Sequence, residues 1–255
     1  MSADGSTGIN VLGESRDLFV LIPAFNEEGA IGSTVDSVRR AVPDAPIFVI
    51  DDGSQDATVK RARAAGAEVI ELPHHLGLGG ALQTGYRFAF EHGFQRVVRV
   101  DGDGQHNAED IPKLVARLDE GDYDMVTGSR FLEPNGYKPE AMRRIGGLIF
   151  SWVLRPILGQ RITDPTSGFI AVNRRALEIF SRSFPLEYPE IEVLVVLKRK
   201  ALKFCEEPAR MLPRKAGRST IGSWKAAYYM VRVLLGVFVN VIKYERRFHT
   251  GERRA

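Results

Sequence analysis

The sequence predicts an α/β protein with a mostly parallel central sheet flanked by helices. Short apolar runs rich in Val and Ile alternate with helical stretches between residues 18 and 128. Each run ends in a polar or Gly-rich loop, as buried parallel strands do. The length of 255 residues, with 44% hydrophobic and 26% charged side chains, suits one such domain with an appendage.

Residues 1–16 are small and polar and read as a flexible N-terminal arm. The strand-like runs are LFVLI (18–22), PIFVID (46–51), AEVIEL (67–72), RVVRVD (96–101) and YDMVTG (123–128). Helical stretches lie between and after them, near 27–41, 55–65, 79–92 and 109–119. This βαβ order implies right-handed crossovers, with ligands bound beyond the carboxyl ends of the strands. Past Arg130 the alternation stops. Residues 131–140 read as a Pro- and Gly-containing loop, 141–158 as a helix, and 163–169 (TDPTSGF) as a turn-rich segment. Helices are expected at 174–182 and 188–201, a strand-like segment at 203–213, and a basic loop at 214–219. From 224 to 242 the chain is apolar on nearly every side, interrupted by Arg232, and a charged tail follows. The expected division is an arm (1–16), a catalytic domain (17–220) and a C-terminal helix with a basic tail (221–255).

A net charge of +3 carries no nucleic-acid footprint, but its distribution is uneven. Residues 198–255 hold +11, leaving −8 for the rest, as suits an acidic catalytic body beside an anionic surface. A single cysteine, Cys205, excludes an intramolecular disulfide and fits a reducing compartment. Residues 1–16 lack the apolar core of a signal peptide, and no run of 18 uncharged apolar residues marks a membrane span.

The residues that carry chemistry sit after the strand-like runs. Asp101-Gly-Asp103-Gly-Gln105-His106 places two carboxylates two residues apart on a Gly-rich turn. Mg²⁺ takes one or two carboxylates and completes its shell with phosphates and water. The same residues also read as a cluster of side-chain turns capping the helix near 109–119. Asp51-Asp52-Gly53-Ser54 reads as nucleoside recognition by carboxylates, or as a tight turn with Ser54 as helix cap. In Pro23-Ala24-Phe25-Asn26-Glu27-Glu28, Asn26 can cap the first helix while the two acids favour its positive end. Asp164-Pro165 begins a turn that Thr166 and Ser167 can cap. Glu190 and Glu192 in YPEIE are a second acidic pair, read as helix-start acids before catalysts.

Taken together, IPAFNEE, VIDDGSQDAT, LGLGGALQTGY, VDGDGQH, TGSRF and TDPTSGF resemble, in order and spacing, the family-2 glycosyltransferases of GT-A fold. The nearest likeness is to enzymes similar to dolichyl-phosphate mannose synthase, over roughly residues 17–220. This resemblance implies a nucleotide-sugar pocket formed by Pro23, Ala24, Asn26, Glu27, Asp51, Asp52, Gly79, Gly80 and Asp101. It implies Mg²⁺ or Mn²⁺ held by Asp101, Asp103 and Gln105, and phosphate contacts from Arg130, Arg214 and Ser219. Asp164, with Arg130 and Arg214, is the expected catalytic group, orienting the acceptor or acting as a weak base. The chain departs from the family pattern at His75, where Asn is usual, and at Ile170, where Arg usually follows TSGF. It also carries no multi-span membrane segment.

The expected function is inverting, metal-dependent transfer of a hexose from a UDP- or GDP-linked donor to a polyprenyl phosphate. The expected place is the cytoplasmic side of a membrane, reached through the C-terminal helix meeting lipid or a small membrane protein. An ionised acceptor phosphate needs positioning more than deprotonation, which agrees with the lack of a dominant catalytic His. A soluble glycosyltransferase with a small-molecule or glycan acceptor is the first alternative, and a non-catalytic nucleotide-sugar-binding subunit the second. The oligomeric state is left open, a homo-oligomer included.

Overall fold

The computed structural model describes residues 17–132 and 141–212, together with Arg232. The N-terminal arm, most of the 131–140 loop, Arg214, Ser219, the apolar stretch around Arg232 and the basic tail lie outside the described residues.

Seven strands form one sheet: β1 (Leu18–Ala24), β2 (Ile47–Asp51), β3 (Glu68–Glu71), β4 (Arg96–Arg99), β5 (Met125–Ser129), β6 (Ile170–Asn173) and β7 (Phe204–Pro208). Their spatial order is β3-β2-β1-β4-β6-β5-β7. All neighbours run parallel except β6, which lies antiparallel between β4 and β5. The helices are α1 (Ile31–Ala41), α2 (Thr58–Ala64), α3 (Gly77–Glu91), α4 (Ile111–Glu120), α5 (Ala141–Leu158), α6 (Arg174–Arg182) and α7 (Pro189–Arg199).

Side chains of a strand alternate between faces, and both faces here are covered. Phe19 and Leu21 of β1 enter one apolar layer with Leu82 and Tyr86 of α3, Phe150 of α5 and Leu194 of α7. Val20 and Ile22 enter the other layer with Ile31, Val35 and Val38 of α1 and Leu114 of α4. The spacing of Ile31, Thr34, Val35 and Val38 is that of one helical face, and all four are buried.

Several local expectations are corrected. TSGF leads into β6, a strand of four residues where the sequence reading places no element between the turn-rich segment and the next helix. Its place depends on pairing with β4 and β5, 70 or more and 40 or more residues earlier in the chain, which no local pattern encodes. Asn26 does not cap α1, which begins only at Ile31 and has no acid in its first turn. Asn26 instead takes a left-handed backbone (φ 54°), and its side chain accepts from Gln55 N–H at 2.8 Å. Ser54 does not cap α2 either. Its hydroxyl accepts from Asn26 N–H at 2.9 Å, while Asp56 accepts from Thr58 N–H at 2.9 Å. The two loops after β1 and β2 are thus tied to each other rather than each to its own helix. Strand order reverses between β1 and β4, since the chain leaves β1 toward β2 and β3 and returns to its other side. A crevice opens at the carboxyl ends of strands on either side of such a reversal.

Candidate active site

A cleft of about 420 Å³ opens at that reversal. Pro23, Ala24 and Glu27 reach it from the end of β1, Asp52 from β2, and Asp101, Gly102 and Asp103 from β4. Gly77 and Leu78 contribute the start of α3, Phe25 and His75 one wall, and Arg99 and Glu190 the base of the acidic side.

Arg99 organises the acidic side. Its side chain is 2% exposed, and it donates from Nε to Asp101 Oδ1 at 3.0 Å and from Nη2 to Glu190 Oε1 at 2.8 Å. Burial works against the guanidinium charge, but Asp101 and Glu190 outweigh it, so the Arg99 pKa lies above its ordinary value. Burial likewise opposes ionisation of Asp101, yet Arg99, by its charge and its hydrogen bond, holds the carboxyl below its usual range. A buried charge without such partners would be several kcal/mol unfavourable, so the three groups stand or fall together. Gly168 lies against the pair: a Cβ there would sit 2.4 Å from Asp101 Oδ2 and 2.7 Å from Arg99 Nη2. That close approach accounts for the glycine of TSGF. His106 accepts from the Asp101 backbone N–H at 3.1 Å and stacks on Phe169 at 4.9 Å. Burial lowers its pKa, against the pull of Asp101 and Asp103, so the ring is held neutral.

The acidic turn fits a hard divalent cation in the chemistry of its donors. Asp103 lines the cleft, and its Oδ1 accepts from Gln105 N–H at 3.0 Å, which orients the carboxylate. Asp101 lies beside it with Oδ1 engaged by Arg99. Among the described residues no group of three or more His, Cys, Asp or Glu could hold a metal. A set of one or two carboxylates is what Mg²⁺ uses when a substrate diphosphate and water supply the remaining oxygens. Gln105, expected as a ligand, does not line the cleft. Its backbone groups bond Asp103 and, at 2.8 Å, Leu212 N–H.

Other expected residues are held elsewhere. Asp164 is fully buried and clasped by Arg130, with Nε to Oδ2 at 2.6 Å and Nη2 to Oδ1 at 2.5 Å. Its backbone N–H donates to Glu206 of β7 at 2.7 Å. The pair closes the end of β5 onto the TDPTSGF turn; neither residue lines the cleft, while the Arg130 charge acts on Asp101. Gly79 and Gly80 are buried and turned away: a Cβ at Gly79 would lie 2.4 Å from Leu186 Cα, and one at Gly80 2.5 Å from Leu76 Cβ. The glycine of this helix start that lines the cleft is Gly77, whose φ of 79° turns the chain into α3. Asp51 is buried off the cleft, with Oδ2 accepting from Ser54 N–H at 3.0 Å and Oδ1 without a partner. Asn26 joins the two loops rather than lining the cleft. Arg99 and Glu190 are among the cleft residues not placed in the site from sequence. Arg99 had a visible signal, a lone charge inside the apolar run RVVRV. Glu190, read as a helix-start acid, had none, because only packing brings α7 to β4.

Comparison with known proteins agrees with this geometry. The family profile described as glycosyl transferase family 2 matches residues 19–180. The UDP-N-acetylglucosamine–dolichyl-phosphate N-acetylglucosaminyltransferase of Methanococcus voltae is 28% identical, over 86% of this chain and 96% of its own length. The undecaprenyl-phosphate mannosyltransferase of Micrococcus luteus is 29% identical, over 79% and 86%. Among solved structures, glucosyl-3-phosphoglycerate synthase from Mycobacterium tuberculosis, in complex with Mn²⁺, UDP and glucosyl-3-phosphoglycerate, superposes with a TM-score of 0.67 at 26% identity. It covers 89% of this chain and 80% of that one. The chain is therefore a glycosyltransferase of family 2, built on the GT-A fold and similar to the transferases that load sugars onto polyprenyl phosphates.

Proposed function

We propose that this chain is an inverting, metal-dependent hexosyltransferase that moves a sugar from a UDP- or GDP-linked donor to a polyprenyl phosphate at the cytoplasmic face of a membrane. The observation that carries the reading is the cleft at the β1/β4 reversal, with Asp103 and Asp101 on one side and the first turn of α3 on the other. In the reaction an acceptor phosphate oxygen forms a bond to the anomeric carbon. The bond from that carbon to the nucleoside diphosphate breaks, and its electron pair leaves with the diphosphate. Asp103 and Asp101 would hold a divalent cation, which would stabilise the charge that develops on the diphosphate. The chain itself orients the donor along β1 and α3, and holds the Asp101 carboxylate ionised through Arg99. The acceptor oxygen is largely ionised at neutral pH, so alignment is the main requirement placed on it. Arg214 and Ser219 follow Leu212, whose N–H is bonded to Gln105, so the chain leaves the described part beside the acidic turn. We assign these two residues to the donor or acceptor phosphates.

No helix of the described residues is long and apolar enough to cross a membrane. We assign attachment to residues 224–255, where the apolar stretch and Lys243, Arg246, Arg247, Arg253 and Arg254 suit an anionic lipid surface or a small membrane protein. A second reading, a small phosphorylated acceptor, is favoured by the likeness to the Mycobacterium tuberculosis synthase. The test is incubation of the protein and membranes with labelled UDP- and GDP-sugars, followed by extraction with organic solvent. Label in the lipid phase is expected. Label that stays in water and appears only with a small phosphorylated acceptor would replace the first reading by the second, and no transfer at all would refute both.

A further inference from the structure

Asp52 stands on the cleft as an acid suited to the donor's base, but its carboxylate is already engaged. It is 4% exposed in its side chain; Oδ1 accepts from Leu76 N–H at 2.7 Å, and Oδ2 lies 2.9 Å from His75 Nδ1. The same Nδ1 lies 3.1 Å from the Asp52 backbone oxygen. Both oxygens can only accept from the ring, so Nδ1 carries the proton, and in the neutral imidazole Nε2 is left as a lone-pair acceptor. The His75 side chain is 56% exposed and lines the cleft, with its Nδ1 edge against Asp52 and the rest of the ring outward. Among the described residues Nε2 has no hydrogen-bond partner. The ring also lies against Phe25, with centroids 4.2 Å apart, and Phe25 is itself exposed on the cleft. Gly53, with φ of 82°, lies close to this segment: a Cβ there would come within 3.6 Å of the His75 backbone nitrogen.

Resting on the nucleotide-sugar reading, we infer that His75 reads the donor's base: Asp52 is its positioning residue, Phe25 completes an aromatic wall, and Nε2 accepts from a ring N–H of the base. The chemistry selects among bases. Uracil and guanine carry a ring N–H on the edge that pairs in a duplex, whereas cytosine and adenine carry a lone pair there and would meet the Nε2 lone pair with repulsion. An unsatisfied polar edge in a site discriminates more strongly than a missing apolar contact.

The test is binding of UDP, GDP, CDP and ADP, each with MgCl₂, to the full chain at pH about 8, where a free imidazole is neutral. The wild type is expected to prefer UDP or GDP over CDP and ADP by about tenfold or more. The separate UDP and GDP arms show which of the two bases fits the wall. His75→Phe keeps the ring against Phe25 but removes the Nε2 acceptor, and should bring the four nucleotides within about twofold. Asp52→Asn releases the tautomer and should also weaken the preference, a readout that loss of packing alone would not move. A wild type that binds all four alike, or variants that keep the full preference, would overturn the assignment of His75 and leave the glycosyltransferase reading standing. A wild type that binds no nucleoside diphosphate would overturn both.

Discussion

Asp103 and His106 lie three residues apart on one turn and answer to different physics. Asp103 faces the cleft and supports no apolar core, so Asp103→Ala should leave the melting temperature near that of the wild type. It should lower turnover by about a hundredfold or more, as loss of a group that stabilises developing charge does. EDTA should reproduce the loss in the wild type, and Mg²⁺ or Mn²⁺ should restore only the wild type; full activity in EDTA would remove the cation from the mechanism. His106 is buried between Phe169 and the Asp101 backbone, and its pKa is lowered chiefly by burial. The unfolded chain takes up this proton below about pH 6.5 while the folded chain resists it. The contribution of the neutral ring is therefore complete above that pH and is lost as pH falls toward the depressed value. Thermal melts from pH 8 downward should show a steeper acid-side decline for the wild type than for His106→Gln. Parallel curves would mean that the ring titrates normally.

At the scale of elements, α3 is fixed by how closely it approaches its neighbours. Gly79 meets the backbone of Pro185 and Leu186, with Pro185 O 2.6 Å from where a Cβ would lie. These residues follow α6, which packs along α3. Backbone cannot step aside as a flexible side chain can, so Gly79→Ala should destabilise by about 1–3 kcal/mol through overpacking. Urea unfolding measures this directly. A neutral result would show that the segment between α6 and α7 yields easily. Gly168 offers a contrast on the other side of the cleft, because its missing Cβ makes room for the Asp101–Arg99 pair rather than for backbone. Gly168→Ala should thus weaken activity as well as stability, a joint loss that Gly79→Ala should not show.

For the whole molecule, the asymmetry of charge sets the expectation for location. The intact protein should float with anionic liposomes, and raised salt should weaken binding without abolishing it, since screening acts on the basic tail and not on apolar contact. Each Lys or Arg near such a surface contributes about 1 kcal/mol. Failure to float at low salt would leave attachment to a membrane protein as the remaining form of the idea.

The order of strands and helices from β1 to β5, the mostly parallel sheet and the acidic turns after β1, β2 and β4 were legible from the chain alone. Alternation of apolar runs with helical faces and the chemistry of turn residues are local properties, and they survive folding. The same holds for the run of motifs from IPAFNEE to TDPTSGF, which carried the family. What only the tertiary structure decided was which polar group is spent on another. Arg130 and Asp164 look catalytic in sequence but are locked together; Asp52 looks like the base reader but is satisfied by His75 and Leu76. Gly79 and Gly80 read as nucleotide contacts but serve helix packing. Arg99 and Glu190, 91 residues apart, meet only because β6 inserts antiparallel beside β4 and α7 follows it. A residue's type limits the chemistry it can perform, but its availability depends on partners that are distant in the chain, and those are set by packing.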